Sequence, residues 1–202
     1  MSGYSKAEGE TIYYLHKICI EELSRYKNGK LLEISPGGLR LWRKIKELNK
    51  FDMHGCDIEC NDDTIKYCNL NADDLPYNHA LFDYVVCCEV IEHIHNPWKL
   101  IAEIKRILKP GGKLIISTPN ISKMYDRIYY LLKGVIPSFQ YEKHTHSMQH
   151  INPINIKELL LILNECNFVV SDIKYNLAKK YQKLFPKGWF GYSVVVIGSK
   201  SL

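Results

Sequence analysis

Apolar residues along the chain alternate between two spacings. Between residues 7 and 27 they fall at Ile12, Leu15, Ile18, Cys19 and Leu23, which predicts a helix with one buried face. Asn28-Gly29 stops that pattern, glycine being suited to a helix C-terminus. Residues 31–35 predict a short strand, 35–38 a Pro-Gly-Gly turn, and 39–49 a second helix. Residues 51–58 predict a strand ending on Asp57. Ile65, Tyr67 and Asn69 then alternate with Lys66, Cys68 and Leu70, which predicts a short third strand. Residues 81–88 are rich in Val and aromatics and predict a buried strand. Asn96-Pro97 opens a helix, with Asn at the cap and Pro at the first helical position. Its core face is Leu100, Ile101, Ile104, Ile107 and Leu108, and Pro110-Gly111-Gly112 ends it before a strand at 113–118.

Residues 121–150 read differently. Tyr125, Ile128, Tyr129, Leu131 and Leu132 predict an amphipathic helix, followed by a Gly/Pro break and a histidine cluster. This segment is expected to be an insertion over the sheet edge, where substrate lids sit. A helix at 155–166 follows, then strands at 167–175 and 189–199 with no helical pattern between them, hence antiparallel neighbours. The sum is an α/β fold: a doubly wound, mostly parallel sheet of seven strands, closed by an antiparallel C-terminal pair, with helices on both faces. With no repeat or low-complexity linker, residues 1–202 are expected to form a single domain.

Composition narrows the class. An apolar fraction of 46% suits a globular domain. No apolar run reaches the roughly 18 residues needed to span a bilayer, and the N-terminus lacks the apolar stretch of a signal peptide. The seven cysteines contain no Cys-x-x-Cys pair, and Cys87 and Cys88 fall inside a strand. Reduced thiols and a cytoplasmic location are therefore expected, not a disulfide frame or a zinc site. Net charge is +5, yet no Arg-rich run marks a nucleic-acid groove, so scattered solvated lysines are the simpler reading.

In such a sheet a ligand sits beyond the carboxyl ends of the strands, where the strand order reverses. The first strand ends on Glu33-Ile34-Ser35-Pro36-Gly37-Gly38-Leu39. Gly37 and Gly38 let backbone approach a ligand, and the helix that follows offers free N–H groups to a carboxylate. Glu33 can take an ammonium or hydroxyl group. A plain strand-to-helix turn accounts for the same residues equally well. Asp57 offers two carboxylate oxygens to a diol, or it caps a helix. After the fourth strand, Glu89, Glu92 and His93 stand at i, i+3 and i+4 and share a face if that turn is helical. They could hold a divalent metal. The preferred reading makes His93 an orienting group or general base in a substrate pocket, and no metal is assigned. His144, His146 and His150 have a spacing that can hold zinc, but exposed lid histidines are the simpler account. Tyr125, Tyr129 and Tyr141 are candidate pocket walls or plain packing residues.

Taken in order, these segments resemble the class I S-adenosylmethionine-dependent methyltransferases, of the kind that serve ubiquinone and menaquinone biosynthesis. Glu33 and Gly37 match the acid and second glycine of that family's acidic-x-Gly-x-Gly-x-Gly motif, while Ser35 and Leu39 replace its first and third glycines. Phe82-Asp83-Tyr84-Val85 resembles the family's Phe-Asp-x-Val strand, and Leu108 to Gly112 its Leu-Lys-Pro-Gly-Gly turn. The resemblance covers about residues 30–120 and implies a Rossmann-like fold with S-adenosyl-L-methionine as cofactor. It implies that Glu33, Ser35, Gly37 and Gly38 form the cofactor loop and that Asp57 binds the ribose hydroxyls. Asn71, Ala72 and Asp73 would meet the adenine end, in the stretch that resembles Asp-x-(Glu/Asp)-Asp-Leu-Pro. Cys88 and Glu89 would lie beside the cofactor. Glu-x-x-Glu-His occurs in the ubiquinone-biosynthesis O-methyltransferases, where it looks metal-linked. His150-Ile151-Asn152-Pro153 resembles the family segment that returns from the lid, which makes His150 a second candidate base or binding residue beside His93.

No Asn-Pro-Pro-Tyr or Pro-Cys follows the fourth strand, which argues against base-methylating DNA enzymes. The expected activity is O-methylation of a small molecule or glycan. Two rivals stay open: an RNA or other nucleic-acid methyltransferase, suggested by the positive charge, and a non-catalytic methyltransferase-like protein, suggested by Ser35, Leu39 and Asn71.

Overall fold

The computed structural model describes residues 6–60, 62–139, 150–177 and 186–201. Its strands are β1 (Gly29–Ile34), β2 (Phe51–Asp57), β3 (Ile65–Tyr67), β4 (Phe82–Cys88), β5 (Leu108–Pro119), β6 (Phe168–Tyr175) and β7 (Ser193–Lys200). They form one sheet in the order β3-β2-β1-β4-β5-β7-β6. The first five run parallel, and β7 is antiparallel to both β5 and β6. The fold class read from the sequence is the one observed.

Both sheet faces are buried, so neighbouring residues in a strand serve opposite cores. Leu32, Val85, Leu114, Ile116, Val194 and Val196 face one core, and Leu31, Val86, Ile115 and Val195 face the other. The second core is covered by α1 (Lys6–Leu23) and α2 (Arg40–Lys46) through Leu15, Cys19, Leu23, Leu41, Trp42 and Ile45. The first is covered by α3 (Pro97–Ile107), through the predicted Leu100, Ile101, Ile104 and Ile107, and by α5 (Ile156–Glu165), through Leu159, Ile162 and Leu163. Each Leu or Ile fully buried this way contributes about 1.5–3 kcal/mol. Asn96 starts α3 by accepting the Lys99 N–H at 3.0 Å, and Asn155 starts α5 by accepting from Lys157 and Glu158.

Three boundaries differ from the expectation. α1 ends at Leu23, because the chain turns at residues 24–28 before β1 begins on Gly29. Pro110-Gly111-Gly112 lies inside β5, not between a helix and a strand. Phe82 pairs with Leu108 and Tyr84 with Lys113, so the residues between them bulge out of the ladder. Gly112 is required there, since a Cβ would lie 2.9 Å from both Leu108 Cδ2 and Lys109 O. The last strand begins at Ser193 and not at 189, because a short helix, α6 (Lys187–Phe190), precedes it. The Asn120 amide holds that helix by donating to the Gly188 and Gly191 carbonyls, both at 2.9 Å.

The expected lid contains α4 (Met124–Lys133) and a 3₁₀ turn at Pro137–Phe139. His144, His146 and Tyr141 lie outside the described residues. Among the described residues no helix is long and apolar enough to cross a membrane.

Candidate cofactor and acceptor site

The strand order reverses between β1 and β4, so the carboxyl ends of these two strands flank the switch-point crevice. At the end of β1 the backbone enters the left-handed region three times, at Ser35 (φ 54°), Gly37 (φ 50°) and Leu39 (φ 59°). A side chain in that region costs roughly 1–2 kcal/mol. The loop therefore keeps a glycine-type path although two of the three residues are not glycine. Asp57, at the end of β2, holds it open. Its Oδ2 accepts the Gly37 N–H at 2.9 Å, and its Oδ1 accepts the Ile58 N–H at 2.7 Å. Oδ1 also accepts the Glu59 N–H at 3.4 Å, while Oδ2 keeps a second lone pair for a ligand hydroxyl.

Glu33 is buried, and its Oε2 has no hydrogen-bond partner among the described residues. Burial, reinforced by the nearby Asp57 charge, pushes its carboxyl up to about 8. An unpartnered buried carboxyl oxygen of this kind is free to accept from a ligand donor. At Gly38 no atom stands within 4 Å of the position a Cβ would take, so the loop tip is open. Glu33, Asp57 and an uncrowded Gly37-Gly38 tip fit the ammonium and diol of S-adenosylmethionine. Cys88 ends β4 with its Sγ 3.4 Å from Cys19 of α1, in the same crevice wall.

Asn71, Ala72 and Asp73, expected at the adenine end, sit on an exposed loop clamped by α3. Lys99 Nζ reaches the Asp73 carbonyl at 3.2 Å and the Asp74 carboxylate at 3.0 Å. Glu103 accepts the Leu75 N–H, while Arg106 donates to the Leu75 and Tyr77 carbonyls. Asp73 accepts the Asn69 N–H at 2.9 Å. Asn71 is engaged with the turn after β4, accepting from His95 N–H at 2.7 Å and donating to the His93 carbonyl at 3.4 Å. It thus ties the loop before β4 to the turn after it.

The turn after β4 is not the shared face expected for Glu89, Glu92 and His93. Only Ile91–His93 is helical, as a 3₁₀ turn, and Glu89 precedes it at φ 54°. That dihedral sends the Glu89 carboxylate to the ends of β5 and β7. It accepts there from Ser117 Oγ at 2.8 Å and Ser193 Oγ at 3.2 Å. Burial raises it to about 7 against the pull of those two hydroxyls. His150 takes the place of Glu89. Ligating atoms of Glu92, His93 and His150 all lie within 4.8 Å of one another, and the two rings sit 4.7 Å apart.

Backbone hydrogen bonds make that grouping. Ile151 and Asn152 both donate their N–H to the Glu92 carbonyl at 2.9 Å, and the Asn152 amide donates to the Ile94 carbonyl. Phe139 packs against the His150 ring. Glu92 is fully buried, with its carboxyl near the Thr118 hydroxyl and no hydrogen bond of good geometry. Burial, then the Glu89 charge, pushes its carboxyl well above the usual carboxylate range. A carboxylate and two imidazoles are also a donor set that a divalent cation can use. Complete burial of Glu92, which disfavours its charged form, suits proton handling better than cation binding here.

Ser117, Ser193 and Asn152 are absent from the sequence-derived site. Nothing in the local pattern marks the two serines, because β7 reaches the site only through its antiparallel pairing with β5, which sets Ser193 opposite Pro119. Asn152 had a signal, since it lies in the same four-residue run as His150.

A sequence profile described as a methyltransferase domain matches residues 12–173. The chain belongs to that family. Among its relatives is the ubiquinone biosynthesis O-methyltransferase of Rickettsia typhi, 33% identical over 131 residues, covering 61% of this chain and 50% of that protein. The Haemophilus ducreyi protein of the same name is 31% identical over 141 residues, covering 65% of this chain and 55% of the relative. The matched segment thus spans about half the length of these relatives. The fold is shared with a putative methyltransferase from Bacillus halodurans, at a TM-score of 0.65 and 15% identity over 92% of this chain and 98% of that one. A methyltransferase from Methanosarcina mazei described as SAM-dependent also has a TM-score of 0.65, at 17% identity over 91% of this chain and 97% of that one.

Proposed function

We propose that this chain transfers a methyl group from S-adenosylmethionine to a hydroxyl of a small molecule or glycan, in the cytoplasm. The observation that supports this most is the pair of histidines, His93 and His150, held edge to face beside the carboxyl end of β4. O-methyltransferase relatives favour oxygen as the acceptor atom. The absence of disulfides among its free cysteines suits a reducing compartment.

Bound in the crevice, S-adenosylmethionine supplies an electrophilic methyl group on a sulfonium. Glu33 receives the ammonium, Asp57 the ribose diol, and Asn71 to Asp73 border the adenine end. Ser35 and Gly37-Gly38 give the backbone its close approach, and Cys88 and Glu89 close the crevice beneath. One of His93 and His150 removes the hydroxyl proton as the new bond forms, and the other fixes its ring. General-base assistance of this type is worth about 10²–10⁴-fold. Because Glu92 and Asn152 bind the two histidine segments through backbone, the separation of the rings is preset and costs nothing during the reaction.

The test is calorimetry with S-adenosylmethionine, followed by methyl transfer from labelled cofactor to a panel of phenols and sugars. His93→Ala or His150→Ala should lower turnover about 10²-fold or more and leave cofactor affinity within about twofold. No binding at millimolar cofactor rejects the enzyme reading. Wild-type turnover in both variants moves the base elsewhere.

A further inference from the structure

α4 is packed inside out. On a helix, Tyr125, Ile128, Leu131 and Leu132 share one arc, and Asp126 stands well away from its centre. A core helix turns such an arc inward. In α4 the buried residue is Asp126, ion-paired to a largely buried Lys123. The apolar arc faces out, with Leu131 82% and Leu132 72% exposed. Val135 extends the arc past the helix end, and Trp189 and Tyr192 are exposed in and after α6, which packs against α4. The Arg127 guanidinium lies 6.0 Å from the Trp189 ring and joins the two elements.

The charges on this face have one sign. Arg127 and Lys133 are exposed, while the only carboxylate of α4 is the buried, neutralised Asp126. Scattered exposed leucines are ordinary, but a contiguous apolar cluster marks an interaction surface. An outward apolar arc with cations beside it and aromatic rings at its edge is the composition of a helix that lies in the plane of a membrane interface.

We propose that this face of α4, with Trp189 and Tyr192 beside it, docks on an anionic lipid bilayer. A second copy is the poorer occupant. A two-fold interface would bring Arg127 and Lys133 of both copies together with no exposed carboxylate of α4 to answer them. The whole chain carries a net charge of +5, which adds to the attraction. The inference stands apart from the methyl-transfer reading.

The test is flotation of the full chain with vesicles of phosphatidylcholine alone, or with one third phosphatidylglycerol. Flotation is expected with the anionic vesicles and about tenfold less with the neutral ones. The Leu131→Glu/Leu132→Glu variant should lose binding about tenfold or more while its melting temperature holds, because both side chains are exposed. Arg127→Gln and Lys133→Gln should each weaken anionic binding about fivefold. No flotation, or undiminished flotation of the leucine variant, overturns the proposal. So does a solution dimer that the leucine variant dissociates, which would assign the face to a second copy.

Discussion

Asp57 combines two tasks that its position at the end of β2 makes inseparable. It holds Gly37 through one oxygen and the start of the next loop through the other, and in the proposed mechanism it receives the ribose. Asp57→Ala should therefore lower cofactor affinity about tenfold or more by calorimetry and also cost stability, about 1–3 kcal/mol for the orphaned N–H groups. An unchanged dissociation constant would remove Asp57 from the cofactor site. Glu33 gives a pH signature. Its ordinary value is near 4.5, and burial with the neighbouring Asp57 raises it to about 8 in the folded chain. Between those values the folded state holds a proton that the unfolded state has released. The contribution of Glu33 to stability is then largest at acid pH and is lost as pH rises toward 8. The melting temperature of the cofactor-free chain should fall over that window more steeply than that of Glu33→Gln. An equal slope in the two would contradict a buried, neutral Glu33. A cofactor ammonium reverses the preference, so binding near pH 7 should release a proton, detectable by calorimetry in buffers of different ionisation enthalpy. The acids and glycines of this loop are legible one by one. The left-handed backbone at Ser35 and Leu39 is not, since both residue types disfavour it.

At the scale of elements, helices with one apolar face and polar caps are read most safely from sequence. α3 carries both signals, and the structure places its Asn96 cap as expected, while the Asn155 cap of α5 comes to light only in the structure. Asn155→Ala should cost about 1 kcal/mol, which for a chain of this size lowers the melting temperature by about 2–4 °C. No measurable change would mean that packing alone starts α5. Pro110-Gly111-Gly112 shows the limit of local reading. The residue types announce a break, and only the partner strand, with Phe82 and Tyr84 waiting in the ladder, converts the break into a bulge. α4 shows another limit. Its periodicity predicts the helix correctly, but periodicity does not say whether the apolar arc faces the protein or something outside it.

Over the whole molecule the site is an assembly of segments far apart in sequence: the ends of β1, β2, β4, β5 and β7, the loop before β4 and the return at residues 150–152. Ligand binding to such a site ties these segments together. S-adenosylhomocysteine at a hundredfold its dissociation constant should stabilise the fold by about 2.7 kcal/mol, read as a rise in melting temperature. No rise would argue against a preformed cofactor crevice. Sequence alone carried the alternation of strands and helices, the family, and the position of the acids and glycines at the ends of β1 and β2. Each of these depends on neighbours along the chain, where period, caps and turn residues act. Tertiary structure alone decided that Glu89 turns to Ser117 and Ser193, that His150 replaces it beside Glu92 and His93, and that α4 shows its apolar side outward. The physical reason is that these outcomes rest on long-range pairing, such as β7 against β5 and the return segment against the Glu92 carbonyl, which no local pattern encodes.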